Sequence, residues 1–395
     1  MNIIFVAMRK NLLTLLLLMM TLCASGQNDS IVSGQDGSVV SGQDDSVAAG
    51  KNHSVAADSI SLEKARERVV SSKPQKKFIA LELLDKVSNF FMRCDTNYVT
   101  PNKYQFTAQA EVSYWHDFYH LQSSETKSTM TIQSDPSMVV GGFLYYSILG
   151  YGLMYNVNEL GIKNGDTNGT SRRQTFNVHT AKFFAEYYTF QSGKGAKITH
   201  VTGMELTGKD RSFKGLDSKC NGFNAVYMFN NKHFSWPAAF GESSVQRRSC
   251  GSWSLGFQYN HQDIHFNDKE LPDYMINHID STLLFNRVDY HDYSISIGYN
   301  YNCVLGRNCL FAFSIMPNIG YRRSNITEAQ NSHSILNNLS TDVNLRSSMM
   351  WNSGKYFTGL ILELHTYSYR KDKFGLTNTY GTLKYVMGLN FLRKR

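Results

Sequence analysis

His261 and His265, in the run His-Gln-Asp-Ile-His, place two imidazoles four residues apart, and His291 begins the next strand-like pattern. In an extended chain that spacing puts both rings on one face. A zinc-type site needs a third ligand from a neighbouring strand. A histidine pair at a strand-to-loop boundary is more commonly solvated, so we expect no metal ligands and no cofactor. Two other groups have the residue types of a base-activated serine, namely His120 with Ser123 and the run Ser332-His333-Ser334. Nucleophilic catalysis needs a rigidly oriented base. Both groups fall where the pattern predicts loops, so no catalytic residue is expected. The sequence has no glycine-rich phosphate loop and no Cys-x-x-Cys pair to support nucleotide or zinc-ribbon chemistry.

These residues sit on a chain that sorts by parity. Between Gln246 and Asn260, Trp253, Leu255, Phe257 and Tyr259 alternate with Ser252, Ser254, Gly256 and Gln258. Side chains on a strand alternate between faces, so one face is apolar and aromatic while the other is small and polar. A barrel in a membrane needs this pattern, with lipid outside and a polar interior. The same alternation runs through Tyr104, Phe106, Ala108, Ala110, Val112 and Tyr114. Weaker patterns follow at 126–134, 137–146 and 149–157, then a long one of ambiguous register at 173–190 and a better-defined one at 221–230. Strong ones lie at 246–260, 289–302, 309–322, 338–350, 355–370 and 378–392. The predicted fold is all-β, an antiparallel transmembrane β-barrel of about 12 strands within a range of about 10 to 14, preceded by a short amphipathic helix over 77–93. Short connections at 303–308 and 351–354 are predicted to face the periplasm. The longer ones at 191–220 and 261–288 are predicted to face outward. The segment 158–171 conflicts with this count, because it is long where a short turn is required.

Parity also predicts which charges face inward: Glu111, Arg248, Asp292, Arg322, Asp342, Arg346, Glu363, His365 and Lys384. A sign-selective channel is lined mainly by one charge. Here both signs occur, which suits cross-strand ion pairs in a narrow or closed lumen, since an unpaired charge in a poorly hydrated interior is costly.

Arg9 and Lys10 precede an apolar run from Leu12 to Leu22 and the small residues Ala24, Ser25 and Gly26, the pattern of a secretory signal. Cleavage is predicted between Gly26 and Gln27. The domain expectation is therefore a signal peptide over 1–26, an octapeptide-repeat linker of low complexity over 27–61, a periplasmic helical segment over 62–94 and the barrel over 95–395. The formal net charge of +8 then points to lipid headgroups and lipopolysaccharide phosphates, not to nucleic acid. Without Cys23, five cysteines remain. The odd count rules out a closed disulfide framework. Cys303 and Cys309 flank a predicted turn and could close a hairpin disulfide, with two buried thiols as the alternative.

Three runs carry a family likeness: Asp-Thr-Asn-Tyr-Val at Asp95, Tyr-Met-Phe-Asn-Asn-Lys-His-Phe-Ser-Trp-Pro-Ala-Ala-Phe at Tyr227, and Gln-Arg-Arg-Ser-Cys-Gly-Ser-Trp at Gln246. They resemble a Bacteroidetes family catalogued as domain of unknown function 4421. The resemblance implies an outer-membrane β-barrel and supplies no catalytic residues. The end of the chain, from Tyr385 to Phe391, resembles the signal read by the outer-membrane assembly machinery. The functional expectation is a narrow or closed outer-membrane barrel of a Gram-negative bacterium. It would be non-enzymatic, with a structural, transport or surface-interaction role. A barrel lipid hydrolase, of the phospholipase or lipid A deacylase type, is the alternative.

Overall fold

A computed structural model describes residues 86–134, 137–157, 171–192, 195–206, 212–241, 244–271, 273–328, 333–371 and 374–394. The predicted cleavage point at Gly26 and Gln27, the linker 27–61 and most of the helical segment 62–94 lie outside the described residues.

The strands are β1 (Val99–Thr100), β2 (Tyr104–Ser123), β3 (Thr129–Ser134), β4 (Ser137–Tyr146), β5 (Leu149–Asn156), β6 (Arg172–His179), β7 (Phe183–Gln191), β8 (Ala196–Val201) and β9 (Ser212–Phe213). They continue with β10 (Leu216–Met228), β11 (Val245–Gln246), β12 (Cys250–Phe266), β13 (Phe285–Gly306), β14 (Cys309–Glu328), β15 (His333–Asn352), β16 (Tyr356–Lys371) and β17 (Phe374–Arg393). Twelve of them form one antiparallel ring in the order β2-β4-β5-β6-β7-β10-β12-β13-β14-β15-β16-β17. The ring closes where β17 pairs with β2, from Phe374 opposite Ser123 to Arg393 opposite Tyr104. Closure leaves no unpaired strand edge in the wall, which is what permits strands to stand in hydrocarbon. No helix among the described residues is long and apolar enough to cross a membrane.

The outer face follows from alternation. On β14 the outward positions Phe311, Phe313, Ile315, Ile319 and Tyr321 are all exposed large hydrophobics. Ten steps at about 3.3 Å, tilted about 40°, give a belt about 25 Å tall. Trp253, Leu255 and Phe257 on β12 continue it, as do Ile295, Ile297 and Tyr299 on β13.

Residues 126–134 do not enter the ring. There β3 leaves the wall at the top of β2 and pairs with β8, which pairs with β9. Conversely, 173–190 is a hairpin of two ring strands. Thr180 makes the turn: its Oγ1 donates to the Phe183 carbonyl at 2.7 Å and accepts from the Phe183 N–H at 2.8 Å. The hairpin also removes the conflict at 158–171, since β5 ends and β6 begins at the same end of the barrel as the segments 192–215 and 267–284. That upper end carries the long connections. The lower end carries the tight turns 147–148, 180–182, 307–308 and 353–355, together with one long segment, 229–249.

The helical stretch 86–91 lies against this lower rim and not in the lumen. Ser88 Oγ is 2.6 Å from Ser147 Oγ, and Phe91 packs edge-on against Phe183 at 5.3 Å.

Candidate functional site, a polar chamber between two apolar seals

The three sequence runs that carry the family likeness meet at the lower end. Segment 229–249 does not form a simple turn; it folds up into the barrel as a peg. Its tip is α1 (Trp236–Phe240), started by Ser235, whose Oγ accepts from the Ala238 N–H at 3.1 Å, with Pro237 in the first turn. A capping serine followed by proline in the first turn is a strong helix start. Trp236 and Phe234 are 1% exposed and pack on Phe184, Val226, Met228 and Met316 of the wall. Ala238 and Ala239 pack on Leu310, Ala312, Met350, Phe357, Ile361 and Val386. Gly298 makes room for this packing, because a Cβ there would stand 2.5 Å from Met316 Cγ. On the remaining side the inner wall is filled by Val139, Phe143, Tyr145 and Met154.

Hydrogen bonds clamp the peg from distant strands. Gln246 Oε1 accepts from the Ser235 N–H and from Asn302 Nδ2, both at 3.0 Å. Gln246 Nε2 donates to the His233 carbonyl at 2.7 Å. Asn302 Nδ2 also donates to the Ser235 carbonyl at 2.9 Å, and Ser348 Oγ donates to the Ala239 carbonyl at 2.6 Å. The Asp95 run supplies the outer brace. There β1 pairs with β11, Tyr98 packs on His233 at 4.3 Å, and the Asp95 carboxylate is 3.5 Å from His233 Nε2. Asp95 is held below the usual carboxylate range, first by the Asn97 N–H it accepts and further by His233 and Arg248.

A second seal fills the upper end. Leu121, Met130, Ile132, Ile198, Phe213, Ile264 and Phe266 form one core with Leu271, Met275 and Leu283 of the connection 267–284. That connection carries α2 (Asp273–Ile276) and single 3-10 turns at Asp268–Glu270 and Ser281–Leu283. The expected open loops 191–220 and 261–288 are thus largely strand extensions and packed core.

Between the seals the inner wall is polar. Arg346 and Glu363 stand opposite each other in register, with Arg346 Nε 3.5 Å from Glu363 Oε1, and Lys384 Nζ is 2.7 Å from Glu363 Oε2. Arg173 lies 3.3 Å from Glu186, and Glu111 accepts from Ser113 Oγ at 2.5 Å. Higher up, Arg322 bridges Asp292 at 3.2 Å and Asp342 at 3.5 Å, all three at most 2% exposed. Aromatic rings line the wall beside these pairs, with Trp115 stacked on Tyr380 at 4.7 Å and Tyr380 on His365 at 4.5 Å. Arg346 also sits 5.6 Å from the Trp236 ring and so joins chamber to peg. Among the described residues two spaces remain, each about 50 Å³ for the centres of water molecules: one among Trp115, Cys220, Gln258 and Tyr380, the other among Glu111, His179, Trp236 and Lys384, with Arg173, Glu186, Arg346 and Glu363 standing between them. Each admits a few waters.

Glu111, Asp292, Arg322, Asp342, Arg346, Glu363, His365 and Lys384 therefore all have their side chains within the wall. Arg248 does not. The β12 strand begins at Cys250, and residues 247–249 peel away to meet Tyr98, so Arg248 is exposed over the Tyr98 ring at 5.6 Å. Arg173 and Glu186 are inward charges that the sequence reading missed by running two strands together.

The Cys303 to Cys309 disulfide is not formed, and Cys303 is a free thiol. The register pairs Cys303 with Phe311, which leaves Cys309 displaced by two residues along β14. Diagonal neighbours are about 7–8 Å apart, too far for a disulfide. The two histidine and serine groups also separate. His120 lies in β2, exposed on the outer face beside Thr131, while Ser123 is fully buried on the inner face. His333 begins β15, and Ser332 lies outside the described residues.

Residues 93–391 match the model of a family described as domain of unknown function (DUF4421). No curated protein matches the chain. Among solved structures it is similar to the outer membrane protease OmpT from Escherichia coli at 6% identity, covering 72% of this chain and 96% of that one, with a TM-score of 0.34. It is similar to the toluene transporter TodX of P. putida at 6% identity, covering 73% and 91%, with a TM-score of 0.26. It is also similar to the outer membrane protein OprG from Pseudomonas aeruginosa at 9% identity, covering 74% and 99%, with a TM-score of 0.23.

Proposed function

We propose that this chain, which belongs to the DUF4421 family, acts in the outer membrane as a resting-closed, non-enzymatic barrel with a structural or surface-interaction role. One observation carries the proposal: between the Trp236 peg below and the Phe213, Ile264 and Phe266 core above, the lumen is divided into two small spaces of about 50 Å³ each, with no continuous path through them among the described residues. An outer-membrane site is supported by the exposed apolar belt and by the secretory pattern at residues 9–26. Lipid and lipopolysaccharide are then its immediate neighbours, and the alternation ending at Phe391 is what the assembly machinery would read.

Most of the chamber's charges are paired, Arg346 and Lys384 with Glu363, Arg173 with Glu186 and Arg322 with Asp292 and Asp342, which suits a filled interior better than a path for ions of one sign. For the lipid-hydrolase alternative, His120 and Ser123 point to opposite faces of β2 and so offer no activated nucleophile there. Purified full-length protein in a planar bilayer is expected to give low or no steady conductance. A large, stable current selective for one ion sign would reject the proposal and make the protein a porin.

A further inference from the structure

Above the apolar belt, the outer face of β12 and β13 changes character at Tyr259 and Tyr293. The next outward positions bring His261 and His291 directly opposite each other, with their rings parallel at 4.2 Å. Asp289, two residues before His291 and on the same face, turns one carboxylate oxygen to both rings. Its Oδ1 is 3.4 Å from His261 Nε2 and 3.8 Å from His291 Nε2. The three ligand atoms all lie within 4.8 Å of one another.

We infer that His261, Asp289 and His291 form a divalent transition-metal site, for zinc above all, on the outer wall of the barrel at the level of the lipid headgroups. Two imidazoles and a carboxylate are the donor set that suits such an ion. Bonds of about 2.0–2.1 Å in a tetrahedron separate ligand atoms by roughly 3.4 Å, close to two of the three edges already present. The neighbours hold the ligands in position, as metal sites require of their surroundings. Tyr259 Oη lies 3.0 Å from His291 Nδ1, which leaves Nε2 of that ring directed at Asp289. Arg287 lies 3.4 Å from Asp289 Oδ2, which is also 3.5 Å from His261 Nε2, so the carboxylate is held between Arg287 and the rings, with Oδ1 the oxygen near both imidazoles. Arg287 is itself held by the Asp263 carboxylate at 2.8 and 2.9 Å, which anchors its charge on the far side of Asp289. The ligand side chains are 20–37% exposed, so an ion can enter from the aqueous side with water or a phosphate oxygen as fourth ligand.

The test uses full-length protein in detergent micelles, titrated with zinc sulfate by calorimetry and with cobalt chloride by visible absorption. Wild type is expected to take up one equivalent of zinc and to give the visible bands of four-coordinate cobalt. His261→Gln and His291→Gln should each weaken zinc at least tenfold and abolish the bands. Asp289→Asn should weaken zinc, while His120→Ala, an exposed outer histidine on another strand, should bind as wild type does. Heat-modifiable migration confirms that each variant is folded, and His261→Ala serves if the glutamine variant is not. Absence of one-equivalent uptake by wild type would overturn the inference, as would unchanged binding in folded variants of His261 and His291.

Discussion

The two ends of the barrel are closed by different means. The upper seal is part of the wall's own construction: strands β2, β10, β12, β13 and β17 run on past the belt, and β3, β8 and β9 fold across them around Phe213 and Phe266. The lower seal is a peg of one short segment, 229–249, fixed by Trp236 and Phe234 and by the amides of Gln246 and Asn302. Removing the upper seal means unfolding strands; removing the lower means breaking a few hydrogen bonds and vacating one aromatic pocket. The barrel is therefore expected to loosen first from below.

The sharpest way to break that comparison is to attack the upper core. Ile264→Asp puts an unpartnered charge among Leu121, Ile198 and Phe266 and should cost about 4 kcal/mol or more. Urea unfolding in micelles and loss of the heat-modifiable band would report it. If the barrel tolerates this change, the upper core is not part of the wall's stability.

A chamber variant should have an equal or smaller effect, and a reversible one. Glu363→Gln removes the negative charge that Arg346 and Lys384 share and turns one of its two acceptor oxygens into a donor. Removing one partner of a buried pair costs about 3–5 kcal/mol. Adding Lys384→Met should recover most of the lost urea resistance, because the double variant removes the stranded ammonium. No recovery would show that Lys384 is already solvated.

The smallest effect belongs to the peg. Gln246→Ala loses the bonds to Ser235, His233 and Asn302 and should cost about 1–3 kcal/mol. The barrel should still migrate in its folded form, while limited proteolysis cuts within 232–248. Equal resistance in wild type and variant would mean that the amide clamp does not hold the peg.

The contrast between the seals also explains what could be read in the sequence. In the strands from Trp253 to Phe391 the outer face keeps its apolar alternation, so strand, direction and inward charge follow from parity, even where Leu310, Phe357 and Ile361 make the inner face apolar against the peg. The first half misleads because its punctuation is unusual. Thr180-Ala181-Lys182 turns a hairpin without Gly, Pro, Asn or Asp, and the closing bonds come from a threonine side chain. Arg173 and Glu186 disappeared into that merged strand. The count of twelve survived because the extra segment at 126–134 offset the missing hairpin.

The peg was legible only as a local event. Ser235, Trp236 and Pro237 mark a helix start, but nothing nearby says that the helix points into a lumen. The residues that hold it, Asn302 and Ser348, lie 67 and 109 residues away from the groups they bind. Such partners are set by the closed ring and not by local pattern. For the proposed metal site, spacing singled out His261 with His265 and expected no ligand, whereas the register of β12 with β13 sets His261 against His291 and brings in Asp289, leaving His265 on Asp263.

The central claim, a chamber sealed from both sides and more readily opened from below, can be read at Cys220, a free thiol that lines it. The measurement is made on protein reconstituted in vesicles, with Cys220 kept as the sole cysteine and a small charged methanethiosulfonate reagent supplied to one face at a time. The account predicts negligible labelling of the intact barrel from either face. With Trp236→Gly it predicts labelling from the lower face alone. Rapid labelling of Cys220 in the intact barrel, or equal labelling from the upper face once Trp236 is replaced, would contradict it.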